Sequence, residues 1–196
     1  METLDTQTWI ILAAVVVLGL AVLGAWFFYQ KKRSHKLQER FGPEYGRTVH
    51  ELGSRTKGES ELKAREKRVE RLEIIALAPS DAARFSEAWQ ALQGRFVDNP
   101  KGVVVQAEQL VRELMQKRGY PMGDFESRAG DISVDHPDVV ANYRSAQAIA
   151  VRDRQGSADT EELRKAVVHY RALFDELLEV REPKQEVIAE KRVAAR

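Results

Sequence analysis

The residues with which this chain could do chemistry are four histidines, a set of turn-side carboxylates and one glycine-flanked lysine. His35, His50, His136 and His169 include no pair at the spacing that sets two imidazoles on one helical face for a metal ion. His136 stands between Asp135 and Pro137, but neighbours in sequence do not supply the hydrogen-bonded geometry that a general base needs. A helix-capping turn is the expectation there, and His169, next to an inward-facing Tyr170, reads as a boundary residue. The segment from Gly53 to Gly58 has the glycine spacing of a phosphate loop. Its Lys57 precedes the second glycine rather than following it, however, and no strand leads in. Asp98, Asp124, Asp131, Asp135 and Asp138 gather around turns, where short carboxylates are favoured by their local backbone hydrogen bonds. No Glu-x-x-His motif of a di-metal bundle is present. The absence of cysteine removes disulfides, thiolate nucleophiles and cysteine metal sites. No catalytic, cofactor-binding or metal-ligating residue is therefore expected, nor any cofactor, and the chain reads as a non-enzyme.

The element that decides the chain's location is the apolar run Trp9 to Tyr29, which holds no charged side chain and is followed at once by Lys31, Lys32 and Arg33. Twenty-one helical residues rise about 31 Å, the thickness of a bilayer's hydrocarbon core. A helix there satisfies its backbone polar groups internally. Before the run stand two acids, Glu2 and Asp5, and no Lys or Arg; after it come Lys31, Lys32, Arg33, Lys36, Arg40 and Arg47. The basic flank marks the cytoplasmic side and names those six residues as candidate membrane-surface contacts. An uncleaved single-pass anchor with its amino terminus outside is expected. A cleaved signal peptide, the alternative, would carry a basic start and a small-x-small site where this chain has Trp26, Phe27, Phe28 and Tyr29. Ala21 and Ala25 have small-xxx-small spacing, which would permit weak self-association through the span.

Charge is uneven along the 196 residues. Lys31 to Arg71 carries 13 basic against 7 acidic residues, net +6, and Leu72 to Arg196 carries 18 against 21, net −3. A mildly acidic main domain is a poor nucleic-acid binder, because affinity for nucleic acid comes mainly from neutralising phosphates. The basic stretch suits anionic lipid instead.

Prolines mark where helices begin. Pro79, Pro100 and Pro137 each suit a first helical position, which needs no backbone N–H. Asn99 is a good N-cap for the helix that follows, and Gly119 with Pro121 a good stop. Helical spacing of apolar residues predicts helices over 79–97 (Phe85, Ala88, Trp89, Leu92, Phe96) and 100–118 (Val104, Ala107, Leu110, Val111, Leu114, Met115). Two more follow over 137–154 (Val139, Val140, Tyr143, Ala146, Ile149, Ala150) and from a cap at Ser157, Asp159 or Thr160 to about Val180 (Leu163, Val167, Tyr170, Phe174, Leu177, Leu178). The stripe of Phe85, Trp89 and Phe96 reads as core. Ile132, Ser133 and Val134 form the only short strand candidate, beside a one-turn helix near Asp124.

The expected architecture is all-α: one transmembrane helix, a charged juxtamembrane helical linker and a small four-helix bundle. Its parts are a short extracytoplasmic tail (1–8), the span (9–29), a basic linker with short helices (30–78), the bundle (79–180) and a charged tail (181–196). Within the linker, Gly42 and Pro43 stop the anchor helix. Tyr45, Val49 and Leu52 then make an amphipathic turn or two that either rests on lipid headgroups or packs on the bundle. From Glu59 to Arg71 a highly charged helix, with Glu59–Lys63 and Glu61–Arg65 pairs, reads as a solvated spacer. Arg65 breaks the coiled-coil seam that Leu62, Val69 and Leu72 would otherwise approximate.

The words RFGPEYGRTV, RFVDNP, RGYP, ISVDHP and HYRALF, in that order over residues 40 to 175, resemble an uncharacterised family of bacterial single-pass membrane proteins with a cytoplasmic helical domain. The chain departs from that pattern at Ala78, where a Ser or Thr would cap the helix from Pro79. The resemblance implies a bacterial inner membrane and carries no activity with it. The functional expectation is a membrane-anchored cytoplasmic interaction or scaffold module, with membrane lipid and a protein as partners and no nucleic acid. The alternative is a small-molecule sensor or enzyme whose pocket lies between the helices, around His136, Tyr143, Arg144, Tyr170 and Arg171.

Overall fold

The computed structural model describes residues 6–178, with the side chains at 6–8, 10–13, 22, 25–27 and 30 outside the described residues. The chain is all-α there: α1 (Thr6–Phe41), α2 (Pro43–Glu51), α3 (Arg55–Val69), α4 (Pro79–Gly94), α5 (Pro100–Lys117), α6 (Phe125–Asp135), α7 (Pro137–Arg154) and α8 (Thr160–Leu178). Pro79, Pro100 and Pro137 each begin a helix as expected. The Asn99 side chain accepts from the Gly102 N–H at 3.0 Å. At α8 the cap resolves to Asp159, whose carboxylate accepts from the Glu162 N–H (2.7 Å) while Glu162 accepts from the Asp159 N–H (3.2 Å), a reciprocal capping box. Ala78 makes no side-chain cap.

The main core lies between α4, α5, α7 and α8, with Leu77, Tyr120 and the α6 residues Ala129 and Ile132 closing it. Trp89 and Phe174 are both buried and stack at 4.6 Å between ring centroids. Two elements depart from the sequence reading. The strand candidate at Ile132 to Val134 is helical, part of α6, because Ile132 and Val134 are buried and Asp131 is tied to Arg68 of α3 at 2.7 Å. And α3 is packed, where a solvated spacer was expected. Leu62 and Val69 join Leu37 and Phe41 of α1, Tyr45 of α2 and Val134 of α6 in a second core. Arg65, the break in the seam, lies across Gly130 of α6, where an added Cβ would come within 3.3 Å of its Nε. The Glu61–Arg65 pair forms at 3.1 Å, but Glu59 pairs with Arg55 rather than Lys63.

These first three helices form an up-and-down hairpin. Gly42 turns the chain with φ +47°, so α2 runs back along α1; Gly53 turns it again with φ +62°, so α3 runs parallel to α1. Three contacts set the levels. Ser34 donates to Glu59, Val49 sits so close to Gly58 that a Cβ there would meet its Cγ2 at 2.7 Å, and Arg40 pairs with Glu66 at 3.2 Å. Ser34, Val49 and Gly58–Glu59 are therefore level with one another.

Among the described residues no helix is long and apolar enough to cross a membrane. The run expected to span, 9–29, lies within α1, whose backbone is helical throughout it; eight of its side chains, at 10–13, 22 and 25–27, lie outside the described residues. Ala25 of the small-xxx-small pair is among them. The 181–196 tail, and residues 1–5 of the amino-terminal tail, also lie outside the described residues.

Candidate functional site

Three polar sites and one basic surface stand out, and they divide the sequence-derived candidates among them. The first site is a cleft of about 370 Å³ lined by Ile74, Ala76, Arg118, Tyr120, Asp135, His136 and Glu176. It is built by the end of α5. Tyr120 N–H donates to Met115 and Gly119 N–H to Gln116, both at 3.0 Å, while Gly119 takes φ +95°. A Cβ on Gly119 would stand 2.4 Å from the Glu73 carbonyl oxygen, so the close crossing of the 73–76 segment requires glycine. Arg118 is thereby aimed inward, buried, with one guanidinium nitrogen donating to the Leu177 carbonyl at 2.7 Å. A cation at the carboxyl end of α8 is favourable for the helix. His136, between α6 and α7, places Nδ1 2.8 Å from Glu176 of α8. It makes no side-chain cap to α7, so the expected capping turn is a turn without the cap.

The other members of the expected pocket go elsewhere. Tyr143 and Tyr170 are core residues whose hydroxyls meet Arg128 (3.2 Å) and Gln147 (3.3 Å). Burial pushes both phenols up, that of Tyr170 the further, and outweighs the neighbouring cations that lower them. Arg171 is exposed and pairs with Asp175 on its own helix at 3.2 Å. His136 alone of the five lines the cleft.

Arg144 belongs to the second site. Its Nε and Nη2 hold the two oxygens of Glu44 at 2.8 and 3.1 Å, and Nη1 holds Glu126 at 2.6 Å. Glu44 is almost wholly buried, with Arg65 (3.5 Å) and Arg47 (3.7 Å) also close to it. Burial opposes the Arg144 cation, but the hydrogen bonds it donates to Glu44 and Glu126 outweigh it and raise its affinity for the proton. This cluster clamps α2 to α7 across 100 residues of sequence. Phe125 lies against it, with the Arg144 guanidinium 5.9 Å from its ring centre.

The third site is buried Glu59, which accepts from Ser34 of α1, from the Tyr45 hydroxyl of α2 at 2.9 Å and from Arg55 at 3.0 Å. Burial alone would push its carboxyl up; the three hydrogen bonds and the Arg55 charge together hold it below the ordinary carboxylate range. One carboxylate thus fastens the three helices of the hairpin.

The basic surface splits as well. Lys31, Lys32, Arg33 and Lys36 are exposed on α1 and form no ion pair among the described residues. Arg40 pairs with Glu66, and Arg47 with Glu51 (2.5 Å), Glu44 and Glu126. Those two residues therefore face the domain's own acids. Sequence reasoning did not find Arg118, Glu176, Glu44 or Glu59; the RGYP segment showed a helix stop and gave no sign of the inward cation that the stop positions.

No group of three or more His, Cys, Asp or Glu side chains among the described residues is placed to hold a metal ion. No family model, curated protein or solved structure matches the chain.

Proposed function

We propose that this chain is a membrane-anchored helical interaction or scaffold module, carried by residues 9–29 as a single span, with the α2–α8 domain on the cytoplasmic face of a bacterial inner membrane. The observation that carries the reading is the continuity of α1. One helix includes the whole apolar run, on which Trp9, Val15, Val17, Leu18, Leu20, Leu23, Phe28 and Tyr29 are exposed, and ends with Leu37 and Phe41 buried in the second core. So much contiguous apolar surface needs a non-aqueous surrounding, and lipid is the one that the basic flank also favours. The rigid passage of α1 into the hairpin would hold the domain at a fixed distance and angle from the bilayer, which suits a scaffold. Lys31, Lys32, Arg33 and Lys36 would meet anionic headgroups there.

A second reading, a small-molecule sensor, is favoured by one detail of the Arg118 cleft. The Arg118 Nε is buried without a hydrogen-bond acceptor among the described residues, and a buried donor left unmade is costly. An anionic group entering the cleft would satisfy it.

The experiment is proximity labelling in cells, with the labelling enzyme fused after Arg196 of the full chain and of a chain lacking residues 9–29. The proposal expects a reproducible set of inner-membrane and membrane-associated neighbours that disappears when the run is deleted. The same cytosolic neighbours from both chains would contradict it.

A further inference from the structure

The glycine-flanked segment from Leu52 to Gly58 is not a phosphate loop, but its place in the fold gives it another role. Ser34 of α1 is level with Val49 and with Gly58–Glu59. Leu52 lies three residues beyond Val49 in the direction of the apolar run, about 5 Å at helical rise. The same step along α1 leads from Ser34 to Lys31, two residues past the end of the run at Tyr29. The α2–α3 turn is therefore flush with the end of the anchor. Leu52 is 42% exposed, a bare leucine on a turn facing that plane, and Arg55 and Lys57 are exposed beside it.

Charge at that level is one-sided. Residues 30–34 and 52–58 contain Lys31, Lys32, Arg33, Arg55 and Lys57 and not one acid, with Lys36 half a turn further along α1. Six of the acids that interleave with them in sequence are paired: Glu44 with Arg144 and Glu66 with Arg40 between helices, and Glu39 with His35, Glu51 with Arg47, Glu59 with Arg55 and Glu61 with Arg65 one turn away on their own helices. The hairpin thus sorts a mixed sequence into a basic rim and a body whose acids are paired with nearby cations. Two small residues make the turn fit: Gly53 for its positive φ and Gly58 for the close approach of Val49.

We propose that the 52–57 turn is a second membrane-contact site, in which Leu52 enters the headgroup layer beside the anchor and Lys57, with Lys31, Lys32 and Lys36, holds anionic phospholipid headgroups. This rests on the span reading of residues 9–29. A basic rim around one exposed apolar residue, continuous with an apolar helix, is complementary to an anionic lipid surface in both charge and chemistry. Two sequence-remote contacts in place of one would also keep the domain from pivoting about α1.

The chain has no cysteine, so single cysteines can report position in the full-length protein. Leu20→Cys, Leu52→Cys and Val97→Cys, each carrying an environment-sensitive fluorophore, are reconstituted into vesicles of phosphatidylcholine with and without phosphatidylglycerol, and spin-labelled lipids serve as quenchers. The expected result is quenching at position 20 by deep labels and at 52 by shallow ones, and none at 97. Quenching at 52 should strengthen with phosphatidylglycerol and fall back to the neutral-lipid level when Lys57, an exposed residue, is changed to Glu. Quenching at 20 but not at 52 overturns the second contact and leaves the anchor; no quenching at 20 overturns the span itself. A spectral shift at 52 without lipid quenching means that a protein covers the turn and also overturns the proposal.

Discussion

Changing Arg144 to Ala removes the bidentate partner of Glu44, a carboxylate only 3% exposed that lies between α2 and α7. Breaking one side of a buried ion pair usually costs about 3–5 kcal/mol, because the remaining charge is stranded in a low-dielectric site. Two other guanidiniums stay behind, Arg65 at 3.5 Å and Arg47 at 3.7 Å from Glu44, so the lower end, about 3 kcal/mol, is expected. In a domain of this size that is a fall in melting temperature of about 6–12 °C, measured on the full chain in detergent by near-ultraviolet dichroism. The double variant Glu44→Gln with Arg144→Met should recover part of the loss, since the buried carboxylate charge is removed together with its bidentate partner. A coupling of about 1 kcal/mol or more between the two positions is the signature. Additive losses in the cycle, or a fall under about 1 °C for Arg144→Ala, would refute the reasoning. Glu44 would then be hydrated, and α2 would not be fastened to α7.

Three other outcomes follow from the same geometry. Trp89→Ala opens a cavity against Phe174 and should cost about 3–5 kcal/mol; a loss near zero by chemical denaturation would mark α4 as an exposed binding face. Asp159→Ala breaks the capping box of α8 and should cost about 1 kcal/mol, with amide exchange accelerated at Glu161 to Leu163 and not at α5. Glu59 supplies the pH dependence. Its folded carboxyl titrates below its ordinary value of 4.5, so its contribution is complete above that value and is lost as pH falls through the lower folded one. Amide exchange of α2 and α3 should rise selectively in acid, and Glu59→Gln should remove the selective part.

What the sequence conveyed about the fold depended on how locally each element is determined. Pro79, Pro100, Pro137, Asn99 and Gly119 act within a turn of their own position, and the helices they bound appear where expected. α6 is different: Gly130 and Asp131 and the β-branched Ile132 and Val134 are poor helix formers, and the helix is held by contacts across the fold, Asp131 to Arg68 above all. α3 looked solvated because its inward positions include Glu59, which is buried, and Arg65, which is largely covered, both held by ion pairs rather than by apolar contacts. Hydrophobic periodicity cannot register a face of that kind. The cleft was illegible for a related reason. His136 and Glu176, or Arg118 and Leu177, meet over 40 and 59 residues, and only the packing of α7 and of α5 against α8 brings them together.

The central claim is that residues 9–29 cross a membrane with the helical domain on the cytoplasmic side, and single cysteines in intact cells test it most directly. Gln7→Cys and Val97→Cys, the latter at a position 90% exposed on the domain, are treated with a membrane-impermeant maleimide before and after lysis. The account predicts that position 7 is labelled in intact cells and position 97 only after lysis. Labelling of position 97 in intact cells would contradict it, and so would release of the full chain from the membrane fraction by alkaline carbonate.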